Sequence, residues 1–318
     1  MKTINKIIFA LLALSIISCD DVFEEDISND TIETISPKDD ATIESNVVNF
    51  KWNELDGAKK YRLQVLDLEE TIVFDSLVSQ TSFICPLEPG SYLWKVRGEN
   101  FAYESEYSET STFSIITTED LANQQVILSS PDNNIYRNTT SVTLKWQKLA
   151  AATSYNVEVV NTTTGESVYT AESISETSVA LSSTDLEQDA VYQWKIRGIN
   201  STSQTTQVST RNFMIDTVVP NVPQNSVPAT NATITNNVST AFTWISPTDT
   251  GTVQSPLLYT IEFSTTNTFT TLLFTTNNSS TSYQYTFTAI GDYYWRIKTS
   301  DSAGNISAYS SPFKVTVI

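Results

Sequence analysis

Tyr92-Leu93-Trp94-Lys95-Val96-Arg97, Tyr192-Gln193-Trp194-Lys195-Ile196-Arg197 and Tyr293-Tyr294-Trp295-Arg296-Ile297-Lys298 are three versions of one phrase. A period of two puts Tyr92, Trp94 and Val96 on one face of a strand and Leu93, Lys95 and Arg97 on the other. The three tryptophans are 100 and 101 residues apart. Working outward, a second set appears in Phe50-Lys51-Trp52, Leu144-Lys145-Trp146 and Phe242-Thr243-Trp244, at intervals of 94 and 98. Together the two sets use all six tryptophans of the 318-residue chain. Pro37, Pro131 and Pro228 stand near the start of each unit, 94 and 97 apart, and Phe113, Phe213 and Phe313 near the end, 100 and 100 apart. The period is far longer than the roughly 20–50 residues of solenoid repeats, so each unit is a domain with its own core.

The same alternation runs through Tyr61-Arg62-Leu63-Gln64-Val65, Tyr155-Asn156-Val157-Glu158-Val159 and Tyr259-Thr260-Ile261-Glu262-Phe263. Breaks rich in Thr, Ser and Asn separate these runs, and no stretch carries a helical period with caps. The expected fold class is all-β: three tandem antiparallel β-sandwiches.

Each unit resembles a fibronectin type III domain of the bacterial surface type, an Ig-like sandwich. The stretch Trp52-Asn53-Glu54-Leu55-Asp56-Gly57-Ala58-Lys59-Lys60-Tyr61 matches that family's B-strand Trp and C-strand Tyr. Trp146 and Tyr155 repeat the pair at the same separation of 9, whereas Tyr259 lies 15 after Trp244. The additional segment, Pro247 to Pro256, reads as a longer B–C loop. The runs from Tyr92 to Asn100 and Tyr192 to Asn200 match the F strand, and the resemblance gives their tyrosines the tyrosine-corner role. The domains are placed at 35–117, 126–216 and 222–318, with linkers near Thr117–Gln125 and Ile215–Pro223. Pro220 and Pro223 stiffen the second linker. The resemblance speaks to fold and leaves function open.

The N-terminus reads as an address. Lys2 and Lys6 precede an apolar run of 11 residues, Ile7 to Ile17. That is well short of the about 20 needed to span a bilayer as a helix, and it fits a signal peptide. Ile16-Ile17-Ser18-Cys19 resembles a bacterial lipobox, which implies a signal peptide over 1–18, cleavage before Cys19 and lipidation of Cys19. Asp20-Asp21-Val22-Phe23-Glu24-Glu25-Asp26 then opens an acidic tether over 19–34, expected to be solvated and extended. An acidic run after the lipidated Cys also resembles the surface-export signal of Bacteroidetes lipoproteins. It implies an outer-membrane, lipid-anchored protein exposed on the cell surface; a periplasmic tether is the competing reading. With Cys19 lipidated, Cys85 is the only thiol, and it reads as a small strand residue within Ser82-Phe83-Ile84-Cys85.

Formal charge is −18, from 36 acidic and 18 basic residues, so nucleic acid is not an expected partner. The chain has no His, which removes His-based triads, general bases and metal sites. Residues 20–120 hold 23 acids and 7 bases, 121–216 hold 9 and 6, and 217–318 hold 4 and 3. The acid therefore belongs to the expected membrane-proximal end, tether and first domain together, and the third domain is almost neutral. A glycosidase needs two carboxylates about 5–10 Å apart across a cleft. The acids here sit in the tether, turns and outward strand positions, so the chain reads as no enzyme and calls for no cofactor.

The six tryptophans occupy equivalent inward positions and read as core. Better ligand-binding candidates are Phe101, Tyr103 and Tyr107 in the first F–G region, interleaved with Glu99, Glu104, Glu106 and Glu109. A solvated hairpin with one aromatic tucked over the sandwich end is the alternative. Asp301-Ser302-Ala303-Gly304-Asn305 resembles an F–G turn of bacterial Ig-like modules, some of which bind calcium. Asp301 and Asn305 are the calcium candidates; hydrogen bonding within the turn around Gly304 is the other reading. Asp30-Thr31-Ile32, Asp75-Ser76-Leu77, Asp216-Thr217-Val218 and Asp301-Ser302-Ala303 resemble a Bacteroidetes O-glycosylation signal, the first and third standing in the tether and the second linker. The expected role is a non-enzymatic, lipid-anchored adhesion or interaction scaffold or spacer. Its partners would be the membrane through the lipid, and another surface protein or a glycan. The alternative is a glycan-binding accessory lipoprotein of a polysaccharide-uptake system, which needs an exposed aromatic platform, with the third domain the place to look.

Overall fold

The computed structural model describes residues 24–318, and Cys19 with the signal peptide lies outside them. All regular structure among the described residues is β. The chain divides into two compact units: Met1–Ile43 with Val48–Ile116, and Glu44–Val47 with Thr117–Ile318. The first is one sandwich and the second comprises two.

The first sandwich contains β1 (Thr34–Ser36), β2 (Ala41–Ile43), β3 (Val47–Trp52), β4 (Lys60–Leu66), β5 (Ile72–Val78), β6 (Ser82–Pro86), β7 (Gly90–Glu99) and β8 (Ser111–Ile115). One sheet has the order β1-β3-β6 and the other β2-β8-β7-β4-β5. The second sandwich contains β9 (Leu128–Ser130), β10 (Ile135–Arg137), β11 (Val142–Trp146), β12 (Ser154–Asn161), β13 (Glu166–Ile174), β14 (Ser178–Leu181), β15 (Val191–Ile199) and β16 (Ser209–Ile215). The third contains β17 (Gln224–Val227), β18 (Ala232–Ile234), β19 (Thr240–Ile245), β20 (Leu257–Ser264), β21 (Leu272–Asn278), β22 (Ser282–Tyr285), β23 (Gly291–Asp301) and β24 (Phe313–Val317). Both repeat the first: β9-β11-β14 faces β10-β16-β15-β12-β13, and β17-β19-β22 faces β18-β24-β23-β20-β21. Three strands against five, in this order, is the fibronectin type III-like sandwich.

The expected antiparallel pairing holds except at one short place per sandwich. The pairs β2–β8, β10–β16 and β18–β24 are parallel. In each unit the entering strand is split at the repeated proline, and its second half crosses to the other sheet, where it runs alongside the last strand. Pro37, Pro131 and Pro228 each follow a cis peptide bond.

Alternation explains the cores. Trp94 and Val96 of β7 are fully buried, as are Trp194 and Ile196 of β15 and Trp295 and Ile297 of β23. Phe50 meets Trp94 edge-on at 5.1 Å, and Phe242 meets Trp295 at 5.3 Å. All six tryptophans are at most 4% exposed. At about 25 cal/mol per Å2, burying some 200 Å2 of indole contributes roughly 5 kcal/mol each before ordering costs. The tyrosine corner is present three times. Tyr92 Oη donates to the Glu88 carbonyl (2.9 Å), Tyr192 Oη to that of Gln188 (2.7 Å) and Tyr293 Oη to that of Ala289 (3.1 Å).

The acidic segment departs from expectation. Its described part is not free of the sandwich, because Ile27 and Ile32 are buried in the first unit. The backbone is fastened as well, with the Glu106 amide donating to the Asp30 carbonyl at 3.1 Å. The linker before the second sandwich behaves alike, since Leu121 within it joins Val126, the first residue placed in the domain, in that sandwich's core. Ile27 and Leu121 are 94 residues apart, as are Ile32 and Val126, so the repeat extends back through residues that read as tether and linker.

Candidate functional site

The end of each sandwich that receives the incoming chain is organised by one amide side chain. In the first, the chain leaves β7 and turns through Asn100, Phe101, Ala102 and Tyr103. Asn100 Oδ1 accepts from the amides of Ala102 (3.1 Å) and Tyr103 (2.8 Å). Its Nδ2 donates to the carbonyls of Glu25 (2.8 Å) and Gly57 (3.1 Å). An amide suits this place because it both accepts and donates twice. It closes the F–G turn and ties it to the incoming segment and the B–C loop.

The second sandwich repeats the device. Asn200 Oδ1 accepts from the amides of Thr202 (3.0 Å) and Ser203 (2.7 Å), while Nδ2 donates to the carbonyls of Glu119 (2.8 Å) and Ala151 (3.1 Å). In the third, two residues share the work. Asp301 Oδ1 accepts from the amides of Gly304 and Asn305, each at 2.8 Å. Asn305 Nδ2 donates to Asp301 Oδ2 and to the carbonyl of Asp216, both at 2.8 Å.

The two calcium candidates are therefore side by side and buried, and both carboxylate oxygens of Asp301 are held by amide donors. No group of three or more His, Cys, Asp or Glu among the described residues is disposed to hold a metal ion. Asp216 is fully buried beside them, with Oδ2 accepting from the Ser255 amide at 3.1 Å. Burial raises its pKa, Asp301 and Asp249 add to the rise, and the Ser255 hydrogen bonds oppose it.

The aromatic candidates do not converge. Phe101 and Tyr103 share the first F–G turn, with Phe101 90% exposed and Tyr103 38%. Tyr107 lies instead over the outer face of β7, its ring centroid 4.6 Å from Lys95 Nζ and 5.0 Å from the Arg97 guanidinium. Burial raises its phenol pKa and Arg97 opposes this. Glu99 accepts from Arg62 and Arg97, both at 2.9 Å, and Arg97 also reaches Glu104 at 2.6 Å. Burial alone would raise the Glu99 carboxyl, but the two guanidiniums outweigh it and hold it below the ordinary glutamate range.

Sequence reading missed the counterpart in the third sandwich. Tyr309 lies over Arg296 at 3.7 Å and Lys298 at 5.0 Å, and its hydroxyl donates to Glu262 at 2.6 Å. The signal was the basic pair at outward positions of β7 and β23, Lys95 with Arg97 and Arg296 with Lys298. Such a pair can seat an aromatic face where the next loop supplies one; β15 carries the same pair, Lys195 with Arg197, but its next loop has no aromatic residue.

The remaining candidates are simply placed. Cys85 is buried and unpaired, and burial pushes its thiol up to about 11, so it is an inert strand residue. Thr31 is exposed, whereas Thr217, also exposed, holds Asp189 Oδ1 with its hydroxyl at 3.0 Å. A depression of about 290 Å3 lined by Asn161, Thr163, Gln188 and Asp189 contains a single carboxylate.

Among solved structures, the chain is similar to the FN1–FN3 domains of chicken CNTN1, at 16% identity over 90% of this chain and 96% of that one, with a TM-score of 0.38. It is similar to fibronectin(III)-like modules of Clostridium thermocellum CbhA, at 13% identity over 61% of this chain and 93% of that one, with a TM-score of 0.37. A two-domain fibronectin type III segment of chicken tenascin gives 17% identity, coverage of 57% and 97%, and a TM-score of 0.23. No family model and no curated protein matches the chain.

Proposed function

We propose that the chain is a non-enzymatic, lipid-anchored cell-surface protein that serves as a modular adhesion or interaction scaffold or spacer. The observation that carries this reading is that the repeated aromatics are spent inside three closed cores. Variation between the domains is thereby left to the loops at their ends. The lipobox-like Ile16-Ile17-Ser18-Cys19 supports the anchor, and the acidic run after it supports export to the surface. Incorporation of a labelled acyl chain into the wild type and into Cys19→Ala tests the anchor. Label lost in the variant supports it, and equal labelling contradicts it. Protease added to intact cells tests exposure: digestion supports the surface position, and full protection places the protein behind the membrane.

One observation favours the second reading, glycan binding. From Phe263 to Gly291 the third sandwich carries no charged residue. Phe274, Tyr283 and Tyr285 are half-buried there, with Phe274 and Tyr283 stacked at 5.7 Å. Aromatic faces among neutral hydroxyls and amides suit an uncharged sugar. Affinity electrophoresis against neutral polysaccharides discriminates the two. Retardation that Tyr283→Ala abolishes favours glycan uptake, and absence of retardation favours the scaffold.

A further inference from the structure

Phe101 is the most exposed large hydrophobic side chain among the described residues. Its exposure is not required by the turn that presents it. Asn100 sets that turn, and Asn200 sets the same turn in the second sandwich, where Ser201 stands in the place of Phe101. A lone exposed ring is common on protein surfaces and demands no partner by itself, so what matters is what lies beside it.

The surroundings of Phe101 point to a partner. Asn100 Nδ2 holds the carbonyl of Glu25, so the Phe101 loop lies beside the chain just where it enters the domain. Glu25 is six residues after Cys19. At about 3.5 Å per residue those residues reach at most roughly 20 Å. A lipid on Cys19 therefore keeps this loop near the surface of the bilayer.

The loop itself is close to neutral. Asn100, Phe101, Ala102 and Tyr103 are uncharged, and the flanking Glu99 and Glu104 are both paired with Arg97. The acids on this side are Glu24, Glu25, Asp26 and Asp30 of the incoming segment, Glu54 and Asp56 of the B–C loop and Glu106, whose amide holds the Asp30 carbonyl. These acids outnumber Lys59 and Lys60 where the B–C loop meets β4. They oppose an anionic surface and tolerate a zwitterionic one. Tyr103, partly exposed beside Phe101, has the amphipathic ring favoured at headgroup depth.

We propose that Phe101, flanked by Tyr103, inserts into the headgroup–acyl boundary of the membrane that holds Cys19. The insertion gives the first sandwich a second, weak attachment beside the lipid. It rests on the lipid-anchor reading and adds to it. Tethering makes insertion intramolecular, so one ring suffices where it would fail for a protein free in solution.

The test uses the acylated full chain in phosphatidylcholine vesicles containing lipids brominated along their acyl chains. The native tryptophans are buried in the cores, so they serve as a silent background. Phe101→Trp places an indole at the tip, and Ser201→Trp places one in the same turn of the second sandwich. The expected result is strong quenching of F101W emission by the brominated lipid, little for S201W, and weaker F101W quenching when phosphatidylglycerol is added. F101W quenched no more than S201W, in protein that still floats with the vesicles, overturns the insertion and leaves the anchor standing. Cys19→Ala protein that floats as well as the wild type overturns the anchor, and the F101W signal alone then decides whether the ring enters the bilayer.

Discussion

Asn100 and Asn200 make the same four kinds of hydrogen bond, yet the residues that follow them, Phe101 and Ser201, differ as much as two side chains can. The difference separates what the fold demands from what it merely displays. The amide is demanded, because without it the F–G turn, the incoming segment and the B–C loop lose their common partner. The next position is displayed: the turn closes equally well over a phenyl ring or a hydroxyl. The third sandwich shows how far the demanded part bends. There Asp301 stands in the place of the asparagine and can only accept, so Asn305 donates to the incoming chain and Ser302 holds the Pro256 carbonyl of the longer B–C loop.

Substitutions that break the demanded part should act alike in the first two sandwiches. The largest loss is expected deep in the cores, where Trp94→Ala and Trp194→Ala should each cost about 3–5 kcal/mol in urea unfolding. A markedly smaller cost for either would mean that the cores are not equivalent. Asn100→Ala and Asn200→Ala should come next, at about 1–3 kcal/mol each and within error of one another, since each strands turn amides and carbonyls. Hydrogen exchange of the Tyr103 and Ser203 amides checks this directly, and fast exchange in only one variant breaks the symmetry.

Acid should then separate a half-buried carboxylate from a fully buried one. Glu99 is held below the ordinary glutamate range, so its stabilisation is present above that range and lost as pH falls through the lowered value. Asp216 is raised, so its contribution is present in full below the ordinary aspartate range and lost as pH rises through the raised value. Amide exchange in β7 should therefore quicken on acidification, and Glu99→Gln should remove that dependence. Exchange of the Ser255 amide should not quicken over the same interval; parallel behaviour of the two would contradict these environments. The smallest effect belongs to the displayed position: Phe101→Ser and Ser201→Phe should each move stability by no more than about 0.5 kcal/mol.

The strands were legible because burial on one face imposes a period of two, and three copies of the phrase around Trp94, Trp194 and Trp295 made chance an inadequate account. The family resemblance gives Tyr92 and Tyr192 the tyrosine-corner role, and Tyr293 repeats it in the third sandwich. The role of the acidic segment was harder to read, because Ile27 and Ile32 are isolated in polar surroundings and show no local period. Only the 94-residue offset to Leu121 and Val126 reveals them as core. In sequence Tyr107 reads with Phe101 and Tyr103, because loop residues carry no alternation to orient them. What separates it is charge on the neighbouring strand, where Lys95 and Arg97 hold its ring. The pairing of Asn100 with Glu25 spans 75 residues and has no local signature. Its trace is again the repeat, since Asn200 and Glu119 stand in the corresponding places.

The central claim is that the repeated aromatics build domains and bind nothing. Acrylamide quenching of the intrinsic tryptophan fluorescence of the folded chain, with and without a panel of neutral polysaccharides, addresses it most directly. All six indoles should quench weakly, as buried indoles do, and no polysaccharide should change the emission. A readily quenched fraction that a polysaccharide protects would show a tryptophan serving as a binding platform, and would contradict the claim.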